Sequence, residues 1–210
     1  MNFFFPIFGI FIIFVLWSSY ERKKADRISN KIKDDFWTLE SNANNVRKQP
    51  LDNENYIIID NNLLINNLWP DHPEDEQLTN LSEVLVSLSD KRILNLTGKT
   101  STDIKLKYGV ANLNEVSSYD DNFTLMVQTI SNYGTRLIEL GNSSAAISVL
   151  EFGIDSLTDI SSNYKHLAQL YIDAGTPDKI DHLIETAQNL DSLMKDSIIR
   201  SLTSMKDSTT

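Results

Sequence analysis

Residues 134–153 read GTRLIELGNSSAAISVLEFG, and residues 168–187 read AQLYIDAGTPDKIDHLIETA. Laid over each other at an offset of 34 residues, Gly134 falls on Ala168, Leu137 on Tyr171, Gly141 on Gly175, Ala146 on Ile180, Leu150 on Ile184 and Gly153 on Ala187. Small residues meet small and large meet large, except where Ile180 faces Ala146. A period of this length marks a repeated supersecondary unit that buries its apolar face only by stacking on a neighbour. Ile130, Tyr133, Leu137, Ile138 and Leu140 keep the three-and-four spacing of an amphipathic helix, which predicts a helix closed by a left-handed residue at Gly141. A second helix is expected from Asn142 or Ser143, with Ala146, Ile147, Val149, Leu150 and Ile154 inward and small Ala146 and Gly153 where two helices approach closely. The next pair places Tyr164, Leu167, Leu170, Tyr171 and Ile172 before Gly175, then Thr176 as cap, Pro177 at the first helical position, and Leu183, Ile184 and Ala187 inward.

These positions resemble the tetratricopeptide repeat, W-x2-L-G-x2-Y followed by a turn glycine and A-x3-F-x2-A. Tyr164, Leu167, Ala168, Tyr171, Gly175 and Ala187 match in the second copy, and Ile130 and Tyr133 open the first. The closing proline is missing from both, its places taken by Thr158 and Ser192, and Ile180 replaces an alanine. The resemblance covers about a third of the chain. It implies an all-α fold, a solenoid of two helix pairs with capping helices, and protein or peptide binding in a groove lined by the first helix of each pair. Carried over, the groove residues are Gln128, Ser131, Thr135, Ile138 and Glu139 from one helix and Ser162, Lys165, Gln169, Ile172 and Asp173 from the next. Lys165 is the one basic residue among them, unlike grooves that clamp a terminal carboxylate.

Two repeats need flanking support. Asp191 to Met205, with Leu193, Ile198, Ile199, Leu202 and Met205 inward, reads as a C-terminal capping helix, and 207–210 as a tail. Glu74 to Arg92, with Leu78, Leu81, Val84, Leu85 and Leu88 on one face and acids in the first turn, reads as the N-terminal cap. Thr102 to Tyr108 forms a short helix ended by Gly109, and no third regular repeat lies upstream. The repeats and their C-terminal cap are expected over 121–206, with an irregular segment over 50–120.

At the N-terminus, Phe3 to Trp17 contains no charged residue. Fifteen residues of helix cover roughly 22 Å against a hydrocarbon core of about 30 Å, and the flanking residues bring the run near spanning length. A cleaved signal would begin with basic residues and end in small ones. Here Arg22, Lys23, Lys24, Arg27, Lys31 and Lys33 follow the apolar run instead. The expectation is a transmembrane anchor over 1–20 that holds a single-pass protein in the cell membrane with its C-terminal domain cytoplasmic. Over 21–49 a juxtamembrane helix is expected to end at Pro50, its seam Ile32, Phe36, Leu39, Ala43 and Val46 being short for a coiled coil. Self-association through that seam is the alternative, a possible homo-oligomer. Tyr56 to Asp60 reads as extended, and the apolar side chains of 55–70 are candidates to fill the groove themselves.

The chain of 210 residues has no cysteine, which excludes disulfides, thiolate metal sites and cysteine nucleophiles. Residues 1–50 carry eight Lys/Arg against five Asp/Glu, and residues 51–210 eleven against twenty-four, so the larger part is acidic and lacks the basic stripe that nucleic acid requires. Gly98-Lys99-Thr100 has Ile93 where a phosphate loop needs its first glycine. Asp71, His72, Glu74, Asp75 and Glu76 form a metal-like cluster, but sit where a helix start attracts acids anyway. His166 and His182 have no second ligand at metal spacing. The sequons at Asn80, Asn95, Asn122 and Asn142 are cheap in an asparagine-rich chain. No enzymatic activity, cofactor, metal or nucleic-acid partner is expected.

Overall fold

A computed structural model describes residues 4–52, 54–59 and 75–208, with side chains from Phe14 onward. The described residues hold eight α-helices and no strand, so the all-α expectation stands. The chain divides into two compact units, 1–49 with 101–111 and 50–100 with 112–210. In this division residues 101–111, which fall within the segment 50–120, group with the N-terminus.

The first unit is built on α1, Phe4–Asn44, a helix of 41 residues. Among the described residues no helix is long and apolar enough to cross a membrane; residues 3–13 of the expected anchor lie outside the described side chains. The helix stops at Asn44, short of Pro50. Asn45 Nδ2 donates to the Ser41 carbonyl at 2.8 Å, and the Val46 N–H to the Ala43 carbonyl at 3.3 Å. These bonds satisfy carbonyls that a helix end leaves open. Glu40 accepts from Lys105 and, at 2.7 Å, from Thr102 Oγ1 of α3, the helix predicted at 102–108 and found at Ser101–Tyr108. The helix ends at Gly109, whose φ of +85° a side chain would strain.

In the second unit α2, Glu76–Ser89, is capped by Asp75, whose Oδ1 accepts the Leu78 N–H at 2.9 Å. Leu78, Leu85 and Leu88 are buried, as the periodicity predicts, and Leu81 and Val84 pack at the core edge. Asp71, His72 and Glu74 of the suspected cluster, and Leu63 to Trp69, lie outside the described residues. Upstream, Ile57 and Ile59 turn inward while Ile58 points outward, and the Ile57 N–H donates to the Ile93 carbonyl at 2.9 Å. That alternation is the extended piece expected at Tyr56.

Helix α4, Leu113–Glu139, starts well before the repeat boundary placed at 121 and runs 27 residues. Its early half holds the segment 92–96 as a strap. Tyr119 O accepts the Leu94 N–H at 3.2 Å, Asp120 Oδ1 the Leu96 N–H at 2.9 Å, and Asn122 Nδ2 donates to the Arg92 carbonyl at 2.9 Å. Arg92 lies over the rings of Tyr56 and Tyr119, 5.3 and 5.9 Å from their centres. The strap continues across the repeats: Asn95 Nδ2 donates to the Ser156 and Leu157 carbonyls, both at 3.2 Å, and Lys99 pairs with Asp191 at 2.7 Å.

Both helix pairs keep the 34-residue period in their backbone. Helices α4 and α6 (Ser161–Asp173) end at equivalent residues, α5 spans Ser143–Asp155, and α7 spans Ile180–Gln188 after a 3₁₀ turn at Pro177–Lys179. The first turn bonds Asn142 N–H to Leu137 O at 2.9 Å and Gly141 N–H to Ile138 O at 3.0 Å; the second bonds Thr176 N–H to Tyr171 O at 2.8 Å and Gly175 N–H to Ile172 O at 2.9 Å. These are two Schellman closures, with Gly141 at φ +77° and Gly175 at +71°. Asn142 caps α5 through the Ala145 N–H, but Thr176 does not cap, since its hydroxyl turns back to the Tyr171 carbonyl at 3.3 Å. At the close crossing of α4 on α5, a Cβ on Gly134 would stand 2.6 Å from Leu150 Cδ2.

Helix α8, Lys195–Asp207, begins after the expected Asp191. Ile198 and Leu202 are buried as predicted, while Leu193 is a miss: it lies outside the helix and is fully exposed. Each buried leucine of this kind contributes about 1.5–3 kcal/mol by removal from water.

Candidate protein-binding surface

The ten groove residues lie on α4 and α6 at positions related by the repeat, so the duplication sets their facing. Helix α4 packs on α5, α5 on α6, and α4 also meets α6. Gln128 and Ser162 are both exposed, as are Glu139 and Asp173. Ile138 and Ile172 are half-buried and pack against the core, which makes them anchors of the helix pair as much as surface. Ser131 and Thr135 are half-buried, Lys165 and Gln169 exposed.

Several of these groups are already engaged. Thr135 Oγ1 donates to the Ser131 carbonyl at 2.8 Å, and Gln169 Nε2 to Asp173 Oδ1 at 2.8 Å. Glu139 accepts from Arg136 Nη1 at 2.7 Å, and the same guanidinium holds Asp75 at 2.6 Å. That guanidinium, with the Leu78 N–H, keeps the Asp75 carboxyl below its usual range, and the two carboxylates raise the Arg136 pKa in return. The side chains of Gln128, Ser162 and Lys165 make no hydrogen bond or ion pair among the described residues. Small neutral polar side chains dominate the surface, with a carboxylate at the C-terminal end of each row.

A second, smaller feature escaped the sequence reading. A cavity of about 110 Å³ lies among α5, α6 and α7, lined by Glu151, Ile154, Asp155, Leu167, Tyr171, His182 and Leu183. Tyr171 donates to Glu151 Oε1 at 2.5 Å, and Lys179 stands 3.8 Å from that oxygen and 4.9 Å above the Tyr171 ring. Burial, followed by the Glu151 hydrogen bond, pushes the Tyr171 phenol up. Burial also raises Asp155, which His182 partly offsets. The sequence singles out Ile154, Leu167, Tyr171 and Leu183 as inward residues and His182 as a lone histidine, but not Glu151 and Asp155, whose spacing of four is the available signal. Among the described residues no group of three His, Cys, Asp or Glu is placed to hold a metal ion. His166 lies half-buried on α6, and His182 is exposed on α7.

Comparison with family models, with curated proteins and with solved structures finds no match to this chain.

Proposed function

We propose that this protein is a membrane-anchored scaffold of the tetratricopeptide-repeat kind, which binds a protein or peptide partner along Gln128–Glu139 and Ser162–Asp173 and catalyses nothing. The reading rests on one observation above all: the two Schellman turns share their hydrogen bonds at a 34-residue offset, and the outward positions of the two first helices form equivalent rows. Glu139 and Asp173 close those rows with negative charge, and Lys165 is the single cation, so the partner favoured is a segment carrying lysine or arginine toward that end. Anchoring through the uncharged run 3–17, with the C-terminal part cytoplasmic, is supported by the helix starting at Phe4 and by the cations that follow it.

The test is in-cell photo-crosslinking from a probe replacing the exposed Gln169, in full-length protein, with adducts identified by mass spectrometry. A distinct partner recovered in high yield, and lost on competition by Lys165→Glu with Ser131→Arg, is the expected result. Adducts to the protein itself alone would sink the scaffold reading.

Self-association is the second reading, favoured by Ile32 and Phe36, 63% and 51% exposed on α1. Phe36→Asn with Leu39→Asn should then abolish oligomers; under the scaffold reading it leaves them unchanged.

A further inference from the structure

The strap over 92–99 docks on both helix pairs, and at matching places. Asn95 Nδ2 donates to the carbonyls of Ser156 and Leu157 just past α5, both at 3.2 Å. Further along, Lys99 Nζ reaches Asp191 Oδ2 just past α7 at 2.7 Å. Asp191 lies 34 residues after Leu157, so the strap touches two successive repeats at equivalent points. Gly98 makes the second contact possible. Its φ is +81°, and a Cβ there would stand 2.3 Å from the Asp191 carbonyl oxygen. The other end of the strap is fixed on α4 by the bonds of the Leu94 and Leu96 N–H groups to Tyr119 and Asp120, and both leucines are buried.

The junction between α5 and α6 that the strap crosses is strained. Leu157 has a φ of +60°, the one non-glycine residue in the left-handed region among the described residues. Backbone held in such a state persists only while its surroundings impose it. Asn163, in the first turn of α6, is fully buried and leaves Oδ1 and Nδ2 without a hydrogen-bond partner among the described residues. Gly153 of α5 lies against it, since a Cβ on that glycine would come within 3.7 Å of Asn163 Nδ2. The unpaired amide is therefore a cost of packing α6 on α5. Burial of Tyr164 and Leu167 opposes it, as does the Tyr171 bond to Glu151 across the same seam. Beyond the junction the second pair coheres by itself. Helix α6 packs on α7 and α8, Ser192 Oγ donates to Asp159 Oδ2 at 2.6 Å, and Lys206 pairs with Asp181.

We propose that residues 95–99 are a clamp over a hinge: they hold the second helix pair against the first, and on their release residues 161–207 open as one unit about Leu157. The α6 row moves with that unit, so the clamp governs whether the two rows stand side by side. The clamp does not depend on what the rows bind.

The test is hydrogen exchange read by mass spectrometry on full-length protein in detergent micelles, with no partner added, under conditions where exchange reports opening equilibria. Asn95→Ala is expected to speed exchange of α6, α7 and α8 by one common factor of about tenfold, the effect of leaving two helix-end carbonyls unbonded. Gly98→Ala, which lifts the strap from Asp191, should give the same pattern. In both variants the amides of α5, and of α4 from Met126 to Glu139, should stay within about twofold of the parent. Lys99→Gln removes only an exposed ion pair and keeps the fold; it should accelerate the same three helices about threefold. Acceleration spread equally over α4 and α5 overturns the clamp, as does acceleration confined to 92–99 and 189–194. Unchanged exchange in α6, α7 and α8 overturns it too. Each of these results leaves the scaffold reading standing, because no partner takes part.

Discussion

Gly134→Ala tests the crossing of α4 and α5 on which the first helix pair depends. In an exposed helix interior the change would stabilise by about 1 kcal/mol, because alanine is the better helix former. Here the new methyl would stand 2.6 Å from Leu150 Cδ2 and 2.8 Å from its Cγ, where carbon atoms prefer about 3.5–4.0 Å. Leu150 is fully buried and packed on all sides, so it cannot swing away freely. Overpacking of this sort costs about 1–3 kcal/mol, which leaves a net loss of about 0–2 kcal/mol once the propensity gain is set against it. The discriminating variant is the pair. Leu150→Ala alone should cost about 2–5 kcal/mol through the cavity it leaves. In that background the Gly134 methyl enters empty space, and the same substitution should become stabilising, a coupling of about 1–3 kcal/mol. Urea unfolding followed by helical circular dichroism, with the full-length chain in detergent micelles, measures all four corners of the cycle. A gain of about 1 kcal/mol from Gly134→Ala in both backgrounds would show that the helices do not meet there.

At the far end of the repeats, Leu202→Ala should cost about 2–5 kcal/mol, whereas Leu193→Ala should stay within about 0.5 kcal/mol in the same unfolding assay; equal costs would restore Leu193 to the cap. Two pH limbs are also expected. Burial pushes the Tyr133 phenol up to about 12, so its contribution is fully present below pH 10 and is lost as pH rises through about 12; Tyr133→Phe should remove that part of the alkaline loss. Asp75, held low by Arg136, contributes above its ordinary carboxylate range and is lost as pH falls below it, so Asp75→Asn should flatten the acid limb of stability. An unchanged limb in either variant refutes its assignment.

What was legible in the sequence was what local chemistry decides. Gly141 and Gly175 announced their turns because a φ near +75° excludes most side chains, and the three-and-four spacing of Tyr164, Leu167 and Tyr171 fixed the buried face of α6. Leu193 was misjudged because hydrophobicity alone placed it on a helix that begins only at Lys195. Thr176 had the right identity for a cap, but the 3₁₀ turn after it leaves its hydroxyl nearer the preceding helix. The strap from Arg92 to Lys99 was invisible, since its anchors, Asp120, Ser156 and Asp191, are far away in the chain and carry no periodic signal. The binding rows were reachable only through the repeat, because exposed Gln, Ser and Thr look alike on any surface. Asn163 carries no such signal either: it is fully buried, with both side-chain polar atoms unpaired among the described residues, at the place where the first copy has Thr129.

The strap also bears on how the chain comes to fold. Each helix pair closes through bonds spanning a handful of residues, so its nucleus is local and available early during synthesis. Asn95 to Ser156 and Lys99 to Asp191 join residues 61 and 92 apart; the first bond needs the first helix pair, and the second needs the chain beyond the second pair. Leu94 and Leu96 dock on α4 across only 25 and 24 residues, so the late step is the fastening at Lys99, and the end of the last pair stays free to fray until it is made. A chain halted before Asp191 would therefore display two formed hairpins with an unfastened end, the state in which a chaperone or a protease meets it first.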